Sequence, residues 1–125
     1  VMSWLNKKAG IKATAHGNQV IMTPRVFCYF DYPQSISDKK PAWWMLYQGL
    51  HKVYRFNPMV KAISANKRQL ILGGQANVWT EYITDEKRLH HQVMPRLAAM
   101  AEALWSSNKN FADFQERLKN SAPLK

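Results

Sequence analysis

Three aromatic residues stand where three short apolar runs end, and two of them are followed at i+2 by a carboxylate. Val20-Ile21-Met22-Thr23 leads to Tyr29-Phe30-Asp31, and Leu70-Ile71-Leu72-Gly73-Gly74 leads to Trp79-Thr80-Glu81. A third run, Val1-Met2-Ser3, ends on Trp4. In extended backbone, residues two apart point to the same side, so Tyr29 aims with Asp31 and Trp79 with Glu81. A flat aromatic face beside an anionic acceptor suits a sugar. The ring's C–H faces are apolar, and its hydroxyls need polar partners. The pattern predicts a carbohydrate pocket formed by Trp4, Tyr29, Asp31, Trp79 and Glu81.

Each of these residues also has a plainer reading. Trp4 suits a core position at a strand end. Tyr29 suits a core or rim tyrosine bonded to a backbone carbonyl. Asp31 suits a turn organiser, and Glu81 suits the start of the following helix. The aromatic-x-acid arrangement repeats after two runs, with a further aromatic after the other, and this favours a shared site.

The elements that would carry these residues alternate between strand and helix. Lys7 to His16 reads as a short helix with an Ile11/Ala15 apolar pair and Gly17 just past its end. Gln19 to Thr23 reads as a buried strand stopped by Pro24. Residues 24–48 read as a long irregular segment, the kind of connection that tends to carry function. Leu50 to Tyr54 reads as one or two helical turns. Lys67 to Leu72 is expected to open the third strand, with Gly73-Gly74 marking its end or a bulge. Asp85 and Glu86 fall in the first turn of a further helix, where they favour its positive end. Pro95 is expected to kink or restart that helix, and Leu97, Met100, Ala101 and Leu104 recur beyond it at helical spacing. Asn110 reads as the N-cap of a last helix from Phe111 to Lys119. Strands alternating with helices imply parallel strands joined by crossovers. Both a doubly wound sheet and part of a (β/α)8 barrel fit this, and both gather ligands at the C-terminal ends of their strands.

Composition narrows the function class. With 125 residues, 46% of them hydrophobic, the chain suits one domain with a real core. No apolar run reaches membrane-spanning length. The chain opens directly on Val-Met-Ser-Trp with no signal-peptide pattern, and this abrupt start suggests the tail of a longer protein. The net charge of +10 would suit a nucleic-acid-binding domain. The charges are scattered, however, as pairs such as Lys7-Lys8, Lys39-Lys40, Lys67-Arg68 and Lys87-Arg88, which read as solvated faces. A lone Cys28 excludes an internal disulfide and reads as a small buried hydrophobe. His90 and His91 are adjacent, so on a helix they diverge and do not chelate one metal. Trp105 reads as a packing residue. Trp43 and Trp44 suit a lid, a platform for a second sugar or a local cluster.

The segment Gly73-Gly74-Gln75-Ala76-Asn77-Val78-Trp79-Thr80-Glu81-Tyr82-Ile83 resembles the last barrel strand of family 20 glycoside hydrolases, the β-N-acetylhexosaminidases. Val1-Met2-Ser3-Trp4 resembles their sixth strand. Val20 to Pro24 with Cys28 to Tyr32 resembles the seventh strand and its loop. Met94-Pro95-Arg96-Leu97-Ala98 through Ala101-Glu102-Ala103-Leu104-Trp105 resembles the closing helix. The resemblance implies an α/β fold, the C-terminal portion of a (β/α)8 TIM barrel: residues 1–106 as its last three β/α units and 107–125 as a C-terminal helix.

It also implies removal of terminal N-acetylglucosamine or N-acetylgalactosamine by a retaining reaction in which the sugar's own acetamido oxygen attacks the anomeric carbon. Tyr29 would hydrogen-bond that oxygen and count as catalytic. Trp4 would wall the acetamido methyl pocket, Trp79 would stack on the sugar, and Asp31 and Glu81 would accept from remote hydroxyls. No cofactor or metal is implied. The family's adjacent Asp-Glu acid/base pair lies on an earlier strand and has no counterpart here, since Asp85-Glu86 opens a helix. The Lys40-Pro41-Ala42-Trp43-Trp44 loop, and Pro33 after Tyr32, depart from the family pattern at the pocket rim. The implied partner is an N-acetylhexosamine glycan. A non-catalytic hexosamine-binding module and a basic nucleic-acid-binding domain are the alternatives. The compartments that the resemblance suggests are secreted, periplasmic or lysosomal. A three-unit piece leaves open strand edges and a bare apolar sheet face, so the rest of the barrel, or self-association, is expected to cover it.

Overall fold

The computed structural model describes residues 1–121. Of the expected C-terminal segment 107–125, residues 122–125 lie outside the described residues. Three strands, β1 (Met2–Ser3), β2 (Val20–Met22) and β3 (Ile71–Gly74), form one sheet in the order β1-β2-β3, and both pairings are parallel. Helix α1 (Lys7–Ala15) makes the first crossover, capped by the Asn6 side chain, which accepts from the Lys8 amide. Gly17, at φ 83°, ends that helix in the left-handed region.

The second crossover is longer and less regular. It holds α2 (Arg25–Cys28), α3 (Leu50–Tyr54) and a 3-10 helix over Ala65–Leu70. Two expectations change here. The segment after Pro24 is not wholly irregular but begins with one helical turn, which Pro24 starts as readily as it stops the strand. Residues 67–70 are 3-10 helix, so β3 begins only at Ile71 and takes in Gly73 and Gly74.

After β3 come α4 (Glu86–Val93), α5 (Arg96–Trp105) and α6 (Phe111–Asn120). Asp85 is the cap of α4 rather than a first-turn residue, and its carboxylate accepts from the Arg88 amide at 2.7 Å. Pro95 separates α4 from α5. Asn110 caps α6 by accepting from the Asp113 amide.

The helices pack on one face of the sheet. Gly10 of α1 lies so close to Met22 that a Cβ would sit 2.5 Å from its methyl carbon. Gly74 meets Phe56 and Leu104 on the same face. The core there joins Val20, Met22, Phe30, Val53, Phe56, Met100, Ala103 and Phe114. By strand alternation, Met2 and Leu72 belong to the opposite face, and both are exposed. On α5 the buried stripe is Arg96, Ala99, Met100 and Ala103. The expected packing role of Trp105 is corrected: it is 88% exposed, and Leu97 and Ala101 also face outward. Helical spacing alone did not fix which side of this apolar helix meets the sheet.

Gly74 gives a direct test. An added Cβ would stand 2.5 Å from the ring of buried Phe56, which has no space to withdraw. Gly74→Ala is expected to destabilise the fold by about 1–3 kcal/mol, read as a lowered Tm.

Candidate functional site

Beyond the strand ends, the backbones following β2 and β3 stay paired. The Gln75 amide donates to the Met22 carbonyl at 3.2 Å, the Asn77 amide to the Cys28 carbonyl at 2.7 Å, and the Phe30 amide back to the Asn77 carbonyl at 2.8 Å. Tyr29 and Asn77 thus form a parallel bridge outside the named strands. The Asn77 side chain donates to the Thr23 hydroxyl and accepts from Gln75, closing the same seam. The strand next to it is joined in the same way: the Arg25 amide donates to the Trp4 carbonyl at 2.7 Å. Three loops therefore leave the sheet side by side at the C-terminal ends of its strands.

A cavity of about 760 Å³ lies among them. Trp4, Tyr29, Asp31, Trp79 and Glu81 all line it, so the five residues singled out by sequence share one space. The reason is not a simple i+2 alternation. Tyr29 is the residue after α2, and its extended backbone is set by the bridge to Asn77. Trp79 follows two residues later on the neighbouring loop, and the Tyr29 and Trp79 ring centroids lie 6.0 Å apart at 59°. Tyr32 extends this wall (6.1 Å from Tyr29), and Trp44 continues it (5.9 Å from Tyr32). Trp44 lines the cavity, whereas Trp43 is 90% exposed and does not.

Sequence reasoning did not assign site roles to Arg25, Tyr32, Gln75, Asn77 or Tyr82, which also line the cavity. Gln75, Asn77 and Tyr82 fall inside the same motif as Trp79, but no spacing rule marks a residue that staples two loops. Arg96 and Gln92 stand behind this wall, outside the cavity lining. Arg96 is wholly buried, and its guanidinium donates to the carbonyls of Tyr32 (2.9 Å), Gln48 (3.2 Å), Phe30 and Gln92. Gln92 donates to the Asp31 carbonyl at 2.7 Å. A buried polar side chain at a helix position facing the core is the one signal that would have flagged them, and it needs the structure to be seen.

The electrostatics differ across the cavity. Asp31 is 5% exposed, and its Oδ1 is buried with no hydrogen-bond partner among the described residues. Burial pushes its carboxyl up to about 6. Its own backbone N–H pulls the other way, Glu81 adds to the rise, and Arg96 opposes it. Burial likewise raises the Tyr29 phenol, with the Trp79 indole opposing, so the hydroxyl keeps its proton and remains a donor. Burial pushes Cys28 up to about 12, which leaves it an inert thiol beneath the site. Among the described residues, no three His, Cys, Asp or Glu side chains gather as a metal-holding group, and no helix is long and apolar enough to cross a membrane. His91 instead pairs with Asp38 at 3.1 Å.

Comparison with known proteins places this arrangement. Residues 1–108 match the family described as glycosyl hydrolase family 20, catalytic domain. A beta-hexosaminidase of Porphyromonas gingivalis is 40% identical over 97% of the chain, and one from Vibrio furnissii is 31% identical over 81%. The chain spans only 16% and 17% of the lengths of those relatives. An exo beta-N-acetylglucosaminidase from Vibrio harveyi, solved in complex with N-acetylglucosamine, superposes with a TM-score of 0.86 at 31% identity, over 98% of this chain and 20% of that one.

The Asp31 carboxyl supplies a test independent of any ligand. Its value of about 6 lies above the ordinary 3.8. Between the two, the folded chain holds a proton that the unfolded chain has lost. Its contribution to stability therefore rises as pH falls across that window and is flat outside it. A carbon-NMR titration of the Asp31 carboxyl is expected to show a midpoint near 6. Glu81→Gln, which removes a like charge, should lower that midpoint.

Proposed function

The chain belongs to glycosyl hydrolase family 20, and from that premise we propose that it forms the C-terminal segment of an exo-acting β-N-acetylhexosaminidase and supplies the sugar-binding wall of the active site. Residues 1–106 act as the last three β/α units of a (β/α)8 barrel, and α6 (Phe111–Asn120) is a C-terminal addition to them. Support comes from three parallel strands in consecutive order, helices on one face only, and a bare apolar face carrying Met2 and Leu72. A doubly wound sheet would carry helices on both faces. In a barrel, the bare face turns inward and meets the side chains of the other strands. The remainder of the barrel, or failing it another copy of the chain, covers these edges.

One observation carries the functional reading. A buried carboxylate with a free acceptor, Asp31, shares a cavity with exposed Glu81 and with an aromatic wall. Such a carboxylate is costly unless donors meet it, and sugar hydroxyls are donors of the right kind. Asp31 and Glu81 accept from hydroxyls remote from the scissile bond, while Trp79 lies against the apolar face of the ring. Trp4 closes the pocket around the acetamido methyl. The Tyr29 hydroxyl donates to the acetamido oxygen and holds it toward the anomeric carbon.

In the reaction, that oxygen forms a bond to the anomeric carbon as the glycosidic C–O bond breaks. The leaving oxygen takes a proton from a general acid, and water later opens the cyclic intermediate. The acid, and the aspartate that orients the acetamide, come from an Asp-Glu pair outside this sequence. Tyr29 acts through geometry: misplacing a nucleophile by an ångström costs on the order of 10²-fold.

The second reading is a hexosamine-binding module without turnover. Hydrolysis of an aryl N-acetyl-β-glucosaminide by the full-length protein separates the two. Tyr29→Phe is expected to lower kcat by roughly 10²-fold, with a smaller change in KM. Trp79→Ala should weaken binding of free N-acetylglucosamine, measured by calorimetry. Unchanged sugar binding in Trp79→Ala, or binding that follows salt as a polyanion site does, would refute the pocket assignment. The rate should also decline as pH falls below about 6, because the protonated Asp31 carboxyl is a poorer acceptor, and Asp31→Asn should flatten that limb.

A further inference from the structure

The carbonyl oxygens of Phe30, Asp31 and Tyr32 receive no backbone N–H among the described residues. Each is met instead by a side chain from the α4–α5 region. Arg96 reaches the first and third, and Gln92 reaches the second at 2.7 Å. Neither Arg96 nor Gln92 lines the cavity. Arg96 also holds the Gln48 carbonyl at 3.2 Å, Gln48 donates to the Arg25 carbonyl at 3.3 Å, and the guanidinium lies 4.9 Å from the centre of the Phe30 ring. One buried cation thus joins both ends of the irregular segment that forms the rim.

Stability alone accounts poorly for this choice of residue. Replacing buried charges by apolar side chains of similar volume is often neutral or stabilising. A planar guanidinium offers donors in a fixed fork, which sets the relative positions of the oxygens it binds. The oxygens in question belong to the one stretch that carries Asp31 and directly follows Tyr29.

We infer that Arg96 and Gln92 are positioning residues, which set the backbone of residues 30–32 so that the Asp31 carboxylate and the Tyr29 hydroxyl face Trp79 and Glu81 across the cavity. This rests on the pocket reading above. Arg96 has a second effect through its charge. Asp31 is faced by Glu81 from the loop after β3, by Tyr29 and Tyr32 from its own segment, and by Arg96 from α5. Arg96 is the cation among them that favours the ionised carboxylate.

The test uses the full-length protein, with an aryl N-acetyl-β-glucosaminide as substrate and three variants. Arg96→Lys keeps the charge and loses the fork. It should lower kcat/KM by about 10-fold or more and leave the acid limb of the pH profile in place. Arg96→Gln removes the charge and should move that limb to higher pH, a shift that vanishes when Asp31→Asn is added. Gln92→Leu, a milder change, should lower kcat/KM without moving the limb.

Variants that lose only Tm, with wild-type kcat/KM and an unmoved limb, would overturn the inference and leave Arg96 and Gln92 purely structural. Should the wild-type protein neither turn over the substrate nor bind N-acetylglucosamine, the pocket reading fails instead. Ring-to-ring NMR contacts between Tyr29 and Trp79, 6.0 Å apart in the structure, then decide the positioning claim: their persistence in Arg96→Lys would refute it, and their loss in the folded variant would uphold it.

Discussion

A guanidinium sealed from water must be surrounded by acceptors, and in this chain nearly all of those acceptors are main-chain oxygens. Arg96 meets the carbonyls of Phe30, Tyr32, Gln48 and Gln92. The cost of desolvating the cation is offset only while those four oxygens stay where they are. The loop after β2, the far end of the rim segment and the turn between α4 and α5 are therefore mutually fixed. Burial draws the guanidinium down to about 9, still well above neutrality, and the nearby Asp31 charge helps to keep it ionised.

The second constraint is the seam between the loops after β2 and β3. Parallel strands normally lose register at their ends, where the backbone turns away. Here the pairing continues through Gln75, Asn77 and Phe30, with Asn77 using its backbone and its side chain together. The two aromatic-x-acid pairs lie on opposite sides of this seam. Their convergence follows from the pairing more than from alternation within either loop. The cavity is thus largely assembled before any ligand arrives, which limits the entropy lost on binding.

Much of this was legible in the sequence. Helices α1 and α6 stand where apolar spacing and end signals put them, because each signal lies within a few residues of the element it predicts. The clustering of Trp4, Tyr29, Asp31, Trp79 and Glu81 was legible as a pattern of residue types at strand ends. What was not legible depends on contacts between distant segments. The start of β3 moved to Ile71 because Ala65–Leu70, which has no β-branched or aromatic side chain, folds as a 3-10 helix instead. Trp105 turned outward because α5 spends its buried stripe on Arg96, Ala99, Met100 and Ala103. Arg96 and Gln92 lie more than 60 positions from the carbonyls they hold at residues 30–32, and no local rule spans that interval.

The hydrogen bonds that hold residues 30–32 go to their main chain. Carbonyl oxygens are present whatever amino acid occupies a position, so exchange of Asp31 or Tyr32 for other residues would leave the acceptors of Arg96 and Gln92 in place. The loop's path and its chemistry are thereby separable. A loop built this way has room to change the groups it displays, while the scaffold that presents them stays unchanged. Exchange of Arg96 offers no such freedom, because it alters the path itself and carries every displayed group with it.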